Sequence, residues 1–227
     1  MSAQSRKLKP SLLFLATSDG VVTLEREVEG QRKLAYRPVA ASPETDEVVA
    51  HRHFTSVSAR GGVVFAGATD GVFCSDDAGQ TWQSAGGAMR GRHVRWLILL
   101  PSQMGGQPSL SRHSTSEQME LEESRVLVGT EPAAIFISRD GGNTWREAPE
   151  VARLRDAKDW YLPYSPEAGC VRGFAYQGPR VYAAVEQGGL LRSDDAGATW
   201  HLVAGSNGDP HVSLPEGFIH NDVHSVK

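Results

Sequence analysis

Short runs rich in valine, isoleucine, phenylalanine and tyrosine recur along the chain, separated by turns that contain glycine. Apolar runs of about four to eight residues bounded by turn residues predict β-strands. The three clearest pairs of runs are 63–68 with 71–75, 125–130 with 134–138, and 181–185 with 190–193. No stretch sustains a helical period of apolar positions, so helix is expected to be a minor component. The pattern predicts an all-β protein.

Each pair of runs is followed by a polar loop, and the three loops share the motif Ser-x-Asp-x-Gly-x-Thr-Trp. A motif that recurs at the same place in successive units indicates a repeat architecture. Its fixed positions are Ser75, Asp77, Gly79, Thr81 and Trp82, then Ser138, Asp140, Gly142, Thr144 and Trp145, then Ser193, Asp195, Gly197, Thr199 and Trp200.

The residue types of this loop suit a hairpin that closes on itself. Aspartate accepts hydrogen bonds from main-chain N–H groups, here expected two residues on, and serine and threonine hydroxyls bond the loop locally. The glycine suits a backbone angle that other residues adopt at a cost, and the tryptophan opens the next strand with an apolar face to bury. We therefore interpret the three aspartates as structural residues rather than catalytic ones.

Four units of this kind are visible. Segments led by tryptophan supply a fourth, outermost strand after each loop. Residues 14–23 align without gaps on residues 65–74, so the N-terminal part is a unit without a first strand, with a charged hairpin at 25–33 in place of the loop. Even strand spacing with one motif per unit predicts a β-propeller of four-stranded antiparallel blades.

The two ends of the chain look complementary, because residues 219–227 resemble the first strand of a unit. One interpretation is that this strand completes the N-terminal blade and closes a four-bladed ring. The other is that the chain is a fragment of a propeller with six or seven blades. In either case we expect a single propeller domain over residues 1–227, with a flexible polar insertion within a blade at 102–124.

The loop resembles the Asp-box, or bacterial neuraminidase repeat (BNR), found in sialidases, sortilin-like receptors, photosystem II assembly factors and many bacterial propellers. The likeness covers each loop and the strands before it, as in residues 126–138 and 181–193. The chain is most similar to uncharacterised bacterial BNR-repeat proteins of the glycosyl-hydrolase-like type. The resemblance implies the fold more strongly than an activity, and it favours the fragment interpretation because Asp-box relatives usually have six or more blades.

Net charge, the N-terminal apolar run and cysteine content bear on nucleic-acid binding, membrane insertion and disulfide formation. With 23 basic and 27 acidic side chains the net charge is −4, which gives no electrostatic basis for binding nucleic acid. The apolar run at 12–16 is too short for a signal-peptide core or a membrane span, so we expect a cytoplasmic protein. Cys74 and Cys170 provide no disulfide framework and are expected to be reduced thiols.

The repeat predicts which side chains meet at the propeller axis. Superposing the units places one residue of each innermost strand nearest the axis: Thr55, Arg95, Arg172 and His224. Two residues earlier, on the same strand face, are His53, His93, Cys170 and Asp222. Glu131 and Glu186, also equivalent, end the second strands and are positioned to pair with the arginines.

Two interpretations of this ring stay open. It is either a solvated channel in which arginine and glutamate satisfy each other, or a site for an anionic or sugar-like ligand, since arginine forks suit carboxylate and phosphate. The candidate ligand-binding residues are Arg95, Arg172, His93, His224, Glu131 and Glu186. The set formed by His53, His93, Cys170 and Asp222 has donor types that metals accept, but its spacing matches no established signature, so we expect no metal and no cofactor.

The resemblance to sialidases implies chemistry that this chain does not reproduce by sequence. Those enzymes use three carboxylate-binding arginines, an aspartate acid/base, a tyrosine nucleophile activated by glutamate, and an Arg-Ile-Pro motif. Here Tyr36-Arg37-Pro38 lacks the isoleucine and falls in an outer strand, and no Tyr/Glu pair is assigned.

The sequence thus predicts a binding or assembly scaffold that acts through the channel mouth. Its partner is expected to be a small anionic or carbohydrate ligand, or a protein. The alternative is a sialidase-like or other glycoside hydrolase acting on acidic sugars. The catalytic residues of such an enzyme are not assigned, and the balance leans away from an enzyme.

Overall fold

The computed structural model describes residues 12–26, 32–37, 53–101, 125–162, 164, 169–213 and 215–227. The insertion predicted at 102–124 lies outside the described residues. Both cysteines are buried free thiols. Within the described ranges, no helix is both long enough and apolar enough to cross a membrane.

Four antiparallel sheets follow one another along the chain, each built from strands that are consecutive in sequence. The first sheet has three strands: β1 (Leu12–Thr17), β2 (Gly20–Arg26) and β3 (Arg32–Arg37). The second has four: β4 (Phe54–Arg60), β5 (Val63–Ala68), β6 (Gly71–Ser75) and β7 (Gln83–Ser84). The third consists of β8 (His93–Leu100), β9 (Arg125–Glu131), β10 (Ile135–Ser138) and β11 (Arg146–Glu147). The fourth consists of β12 (Cys170–Gln177), β13 (Arg180–Glu186), β14 (Gly189–Ser193) and β15 (His201–Leu202).

This succession of sheets is that of propeller blades, and it confirms the all-β, Asp-box blade architecture predicted from the sequence. The first blade lacks its innermost strand in the described residues, as the alignment of 14–23 on 65–74 predicted. Apolar side chains of neighbouring blades form the core. One cluster joins Phe65 and Val72 of the second blade to Val126 and Val128 of the third.

Among the described residues, one helix interrupts the strands. Helix α1 (Pro149–Lys158) lies between β11 and β12, and a short 3-10 turn spans Gly87–Met89. Pro149 occupies the first turn of α1, and Asp159 ends the helix in a left-handed conformation with φ of 50°. The apolar positions of α1 form no stripe that marks a helix in the sequence, and in the structure only Val151 of this helix is buried.

The prediction of a strand at residues 219–227 is wrong. The segment forms no ladder in the described part of the chain, and the four sheets do not close into a ring. It runs beside β12 instead, where backbone atoms of Ser225 and Val226 lie 3.9 Å from the point that a Cβ on Gly173 would occupy. Its backbone is held by isolated hydrogen bonds, such as that from Gly189 N to Asn221 O at 2.8 Å. A strand requires a continuous partner, and this segment has none among the described residues.

Each Asp-box closes itself with the same hydrogen bonds. In the second box, the Ser138 hydroxyl donates to Asp140 Oδ1 at 2.9 Å and accepts from Gly142 N at 2.8 Å. Asp140 Oδ1 accepts from Thr144 N at 2.9 Å, and Oδ2 accepts from the Thr144 hydroxyl. The boxes around Asp77 and Asp195 repeat this set.

The acceptor pattern corrects one detail of the prediction. The aspartate reaches N–H groups three and four residues on, as Asp77 does with Gln80 and Thr81, rather than two residues on. It is the serine that accepts from the N–H two residues on, at 3.4 Å between Asp77 N and Ser75 Oγ. The aspartate therefore closes a longer stretch of backbone than it does in an Asx-turn, in which it accepts from the N–H two residues on.

The box tryptophans fasten the loop to its surroundings. Each indole donates to the carbonyl of its own box glycine. Trp145 also donates to Ala85 O of the preceding blade at 3.0 Å. Trp200 is buried, whereas Trp82 and Trp145 are half-buried. The apolar faces predicted for these tryptophans are thus covered to different degrees.

The box glycine is one of the places where consecutive blades approach each other closely. Gly142 and Gly197 both have a φ of 87°. A Cβ on Gly142 would lie 3.0 Å from Phe65, and one on Gly197 would lie 2.5 Å from Leu127. Phe65 and Leu127 occupy equivalent positions in β5 and β9, one residue after the residue that pairs with the box serine. Each box therefore packs on the second strand of the blade before it.

We predict that Gly197→Ala destabilises the protein more than Gly62→Ala. Both glycines have a strongly positive φ, 87° and 98°, so either alanine adds backbone strain of about 1–3 kcal/mol. Nothing lies within 4 Å of a Cβ on Gly62, whereas one on Gly197 meets Leu127. Overpacking should add about 1–3 kcal/mol for Gly197→Ala alone. Urea unfolding of both variants measures the difference, and equal losses would show that the box is not a blade contact.

We also predict that the box aspartates make the fold sensitive to acid. Partial burial raises the pKa of Asp140, but hydrogen bonds from Thr144 and Ser138 outweigh it and hold that pKa below its usual value. The same balance lowers the pKa of Asp77 and Asp195. A carboxyl with a lowered pKa in the folded state contributes stability above the unfolded value of about 3.9, and this is lost as pH falls below it. The free energy of unfolding should fall between about pH 5 and 2, less steeply in Asp140→Asn; an unchanged slope would contradict this role.

Candidate functional site

The innermost strands of three blades carry a β-bulge at the same place. The pairing of β4 with β5, of β8 with β9 and of β12 with β13 skips one residue each, which is Thr55, Arg95 and Arg172 respectively. A bulge leaves its extra residue outside the ladder and redirects the side chain. These are the residues that the repeat placed nearest the axis.

The three bulge residues line one open cavity of about 440 Å³ together with Trp96 and His224. Strand β8 contacts both β4 and β12, so the three bulges lie close together. Thr55 Oγ1 donates to Val94 O at 2.8 Å, which ties one inner strand to the next. The structure thus brings Arg95, Arg172 and His224 to one place.

Trp96 is a cavity residue that sequence reasoning missed. It directly follows the bulge residue Arg95 and is 42% exposed. The corresponding residues of the other blades are Ser56 and Gly173, so the repeat gives no reason to expect an aromatic ring here. The signal in the sequence is a tryptophan directly after Arg95 in a predicted inner strand.

Each cavity arginine is paired with the glutamate of its own blade. Arg172 Nε lies 2.8 Å from Glu186 Oε2, and Arg95 Nη1 lies 3.3 Å from Glu131 Oε2. The glutamate side chains are only 3% and 7% exposed. A buried carboxylate is costly unless a cation is paired with it, so the two pairs hold the arginines in place.

Glu186 makes several contacts besides its ion pair with Arg172. Its Oε2 accepts from Cys170 Sγ at 3.2 Å, and its Oε1 accepts from the Tyr164 hydroxyl. His224 Nε2 lies 3.6 Å from Oε1. Burial raises the pKa of Glu186, but the hydrogen bonds from Tyr164 and Cys170 and the charge of Arg172 outweigh it and lower the pKa. Glu186 is therefore a carboxylate at neutral pH.

The hydroxyl and thiol that contact Glu186 remain protonated at neutral pH. Desolvation of the phenol oxygen and the bond to Glu186 raise the pKa of Tyr164 to about 12, although its ring is largely exposed. Burial and the same carboxylate raise the pKa of Cys170 to about 12. Sequence reasoning missed Tyr164, because it lies in a loop outside the repeat and nothing in its neighbours marks it.

The three histidines predicted near the axis lie in different parts of the structure. His93 Nδ1 lies 4.0 Å from Glu131 Oε2, in the third blade. His224 Nε2 lies 2.8 Å from Asp222 Oδ1, in the C-terminal segment beside the fourth blade. His53 precedes β4, where its carbonyl accepts from Thr69 N.

The possible metal ligands that come together are not the set considered from sequence. Within the described ranges, the one group of three His, Cys, Asp or Glu side chains with donor atoms within 4.8 Å of one another is Glu186, Asp222 and His224. Only Asp222 belongs to the ring of His53, His93, Cys170 and Asp222. Arg37 ends β3, the outer strand of the first blade, as expected for the incomplete Arg-Ile-Pro match.

Residues 73–84 match the family model of the BNR/Asp-box repeat. No curated protein matches the chain. Among solved structures, the chain superposes on an ancestral GH74 enzyme with a TM-score of 0.51 and 12% identity, over 85% of this chain and 22% of the enzyme. YCF48 bound to D1 peptide gives a TM-score of 0.47 and 14% identity, over 85% and 48% of the two chains.

A GH74 xyloglucanase from Xanthomonas campestris gives a TM-score of 0.44 and 14% identity, over 86% of this chain and 28% of the enzyme. The chain therefore spans less than half the length of each of these three proteins. The match to the ancestral GH74 enzyme shows the shared fold.

Proposed function

Because this chain is an Asp-box protein with the β-propeller fold, we propose that it is a binding or assembly scaffold whose ligand site is the cavity between its inner strands. One observation carries the proposal. Thr55, Arg95, Trp96, Arg172 and His224 converge on one cavity from three blades and the C-terminal segment. Bulges direct three of them away from the ladders, which a purely structural strand does not need.

The two arginines favour a ligand that carries a carboxylate. Arg172 contacts Glu186 through Nε, which leaves the four N–H donors of its terminal nitrogens for other partners. Planar forks of this kind bind carboxylates through two parallel hydrogen bonds. Because the buried glutamates already fix both arginines, little side-chain freedom is lost when a ligand binds.

Trp96 favours a ligand with an apolar or ring-shaped face next to its charge. An exposed indole offers a flat surface that covers such a face. A carboxylate joined to a sugar ring satisfies both features, as does an acidic side chain beside an apolar one in a protein partner. We therefore propose an anionic carbohydrate as the small ligand class, with a protein partner presenting the same chemistry as the assembly role.

The first test compares glucuronate with glucose, which lacks the carboxylate, by isothermal titration of the full chain. We expect glucuronate to bind and glucose not to bind. Arg95→Lys and Arg172→Lys keep a positive charge beside their glutamates but remove the fork, so each should weaken binding about tenfold. Arg192→Lys is the matched control, because Arg192 pairs with Asp194 and does not line the cavity.

N-acetylneuraminate and a short Asp- and Glu-rich peptide extend the same titration to the other ligands in the proposed class. Absence of binding by all the carboxylates would contradict the proposed site. So would an equal loss of affinity in Arg192→Lys.

A glycoside hydrolase is the second candidate, and one contact favours it. Tyr164 donates to Glu186 beside Arg172, a pairing that sialidases use for their nucleophile. The proton balance opposes that role, since the pKa of Tyr164 is raised to about 12 while that of Glu186 is lowered. A carboxylate with a lowered pKa is a poor base for a phenol and a poor general acid for a leaving group.

We predict no turnover of chromogenic sialosides or common aryl glycosides by the purified full chain. Turnover that is lost in both Tyr164→Phe and Glu186→Gln, and retained in the exposed-site control Glu216→Gln, would overturn the scaffold proposal in favour of an enzyme. Activity that survives in both Tyr164→Phe and Glu186→Gln would belong to a contaminant rather than to this site.

A further inference from the structure

We propose that Glu186, Asp222 and His224 form a zinc site on the wall of the cavity. Their donor atoms all lie within 4.8 Å of one another. Two carboxylate oxygens and one imidazole nitrogen are ligand types that Zn²⁺ binds in proteins. The proposal concerns the metal alone and does not depend on the organic ligand.

The two oxygens of Glu186 have different partners, and this leaves one available for a metal. Oε2 lies 2.8 Å from Arg172 Nε and accepts from Cys170 at 3.2 Å. Oε1 is the oxygen that faces His224 Nε2, at 3.6 Å. An ion on Oε1 therefore leaves the ion pair with Arg172 intact. The hydroxyl of Tyr164 also donates to Oε1, and such outer hydrogen bonds orient carboxylate ligands in metal sites.

The two separations from His224 to the carboxylates bracket the spacing of ligands around a tetrahedral ion. Bond lengths of about 2.0–2.2 Å from zinc to nitrogen and oxygen put neighbouring ligand atoms about 3.3 Å apart. His224 Nε2 lies 2.8 Å from Asp222 Oδ1 and 3.6 Å from Glu186 Oε1, values on either side of that spacing. Asp222 and His224 stand two residues apart in the C-terminal segment, and their side chains are in direct contact.

The local charge also favours a divalent cation. Glu186 and Asp222 contribute two negative charges, and Arg172 neutralises one of them. A neutral His224 adds a lone pair without adding charge. The side chain of Glu186 is 3% exposed, so its attraction for a cation is weakly screened by solvent.

The third blade holds a comparable arrangement that lacks the second carboxylate. There Glu131 lies 3.3 Å from Arg95 and 4.0 Å from His93. No group of three possible ligands forms around Glu131 in the described part of the chain. Asp222 therefore distinguishes the proposed zinc site from its counterpart, and His93 provides a matched control.

A bound zinc ion would also change the charge of the cavity wall. Three protein ligands leave a fourth position on zinc, which water or another ligand fills. Because His224 lines the cavity, the ion would add positive charge to the wall that holds Arg172. This last step rests on the proposed function, whereas zinc binding itself does not.

The test is isothermal titration of the metal-free full chain with ZnCl₂ at pH 7.5. We expect one ion per chain at this site, and His224→Ala and Asp222→Asn should each weaken its binding at least about tenfold. His93→Ala should leave the affinity unchanged. His224 and Asp222 lie in the C-terminal segment outside the sheets, and circular dichroism verifies that their variants fold.

Absence of saturable binding would overturn the proposal. So would an equal loss of affinity in His93→Ala and His224→Ala, since that pattern indicates adventitious histidine binding. Titration with Co²⁺ gives a second readout, because tetrahedral coordination produces visible absorption that should vanish in His224→Ala. Neither measurement uses an organic ligand, so failure here is distinguishable from failure of the glucuronate titration.

Discussion

The close approach of each Asp-box to the blade before it is the constraint on which the rest of the molecule depends. A Cβ would lie 3.0 Å from Phe65 at Gly142 and 2.5 Å from Leu127 at Gly197, so a side chain at either position would have to displace its neighbour. The hydrogen bonds of Ser138 and Asp140 hold the loop in the shape that allows this contact. One local motif therefore sets the spacing between sheets, and repeated spacing determines where the inner strands meet.

That meeting point explains why charged residues are tolerated near the axis. Inner strands of three blades converge, and the arginines they carry are neutralised by Glu131 and Glu186 at the ends of the second strands. The paired charges cost less to bury than isolated ones. The result is a polar cavity with fixed donors inside an otherwise apolar set of sheets.

The repeat made most of the fold predictable. The hydrogen bonds that close each box lie within eight residues, so the conformation of the box follows from its own sequence. The positions of Arg95 and Arg172 followed from the same periodicity. The strand predicted at residues 219–227 does not form, because a segment that resembles the first strand of a unit becomes a strand only beside another strand. Tyr164 and Trp96 were missed for a related reason: their roles arise from tertiary contacts with Glu186 and the cavity, to which the repeat contributes nothing.

The bulges at Thr55, Arg95 and Arg172 have an evolutionary consequence. A residue left out of the ladder is released from the propensity and register demands that govern its neighbours. Its side chain is constrained instead by the partner that it contacts. Arginine stands at the bulge in the two blades whose second strand ends in glutamate, whereas the blade with Thr55 has Thr69 at the equivalent position. A change of chemistry at this position therefore requires that both members of the pair change together, because a single replacement leaves a buried carboxylate without its cation.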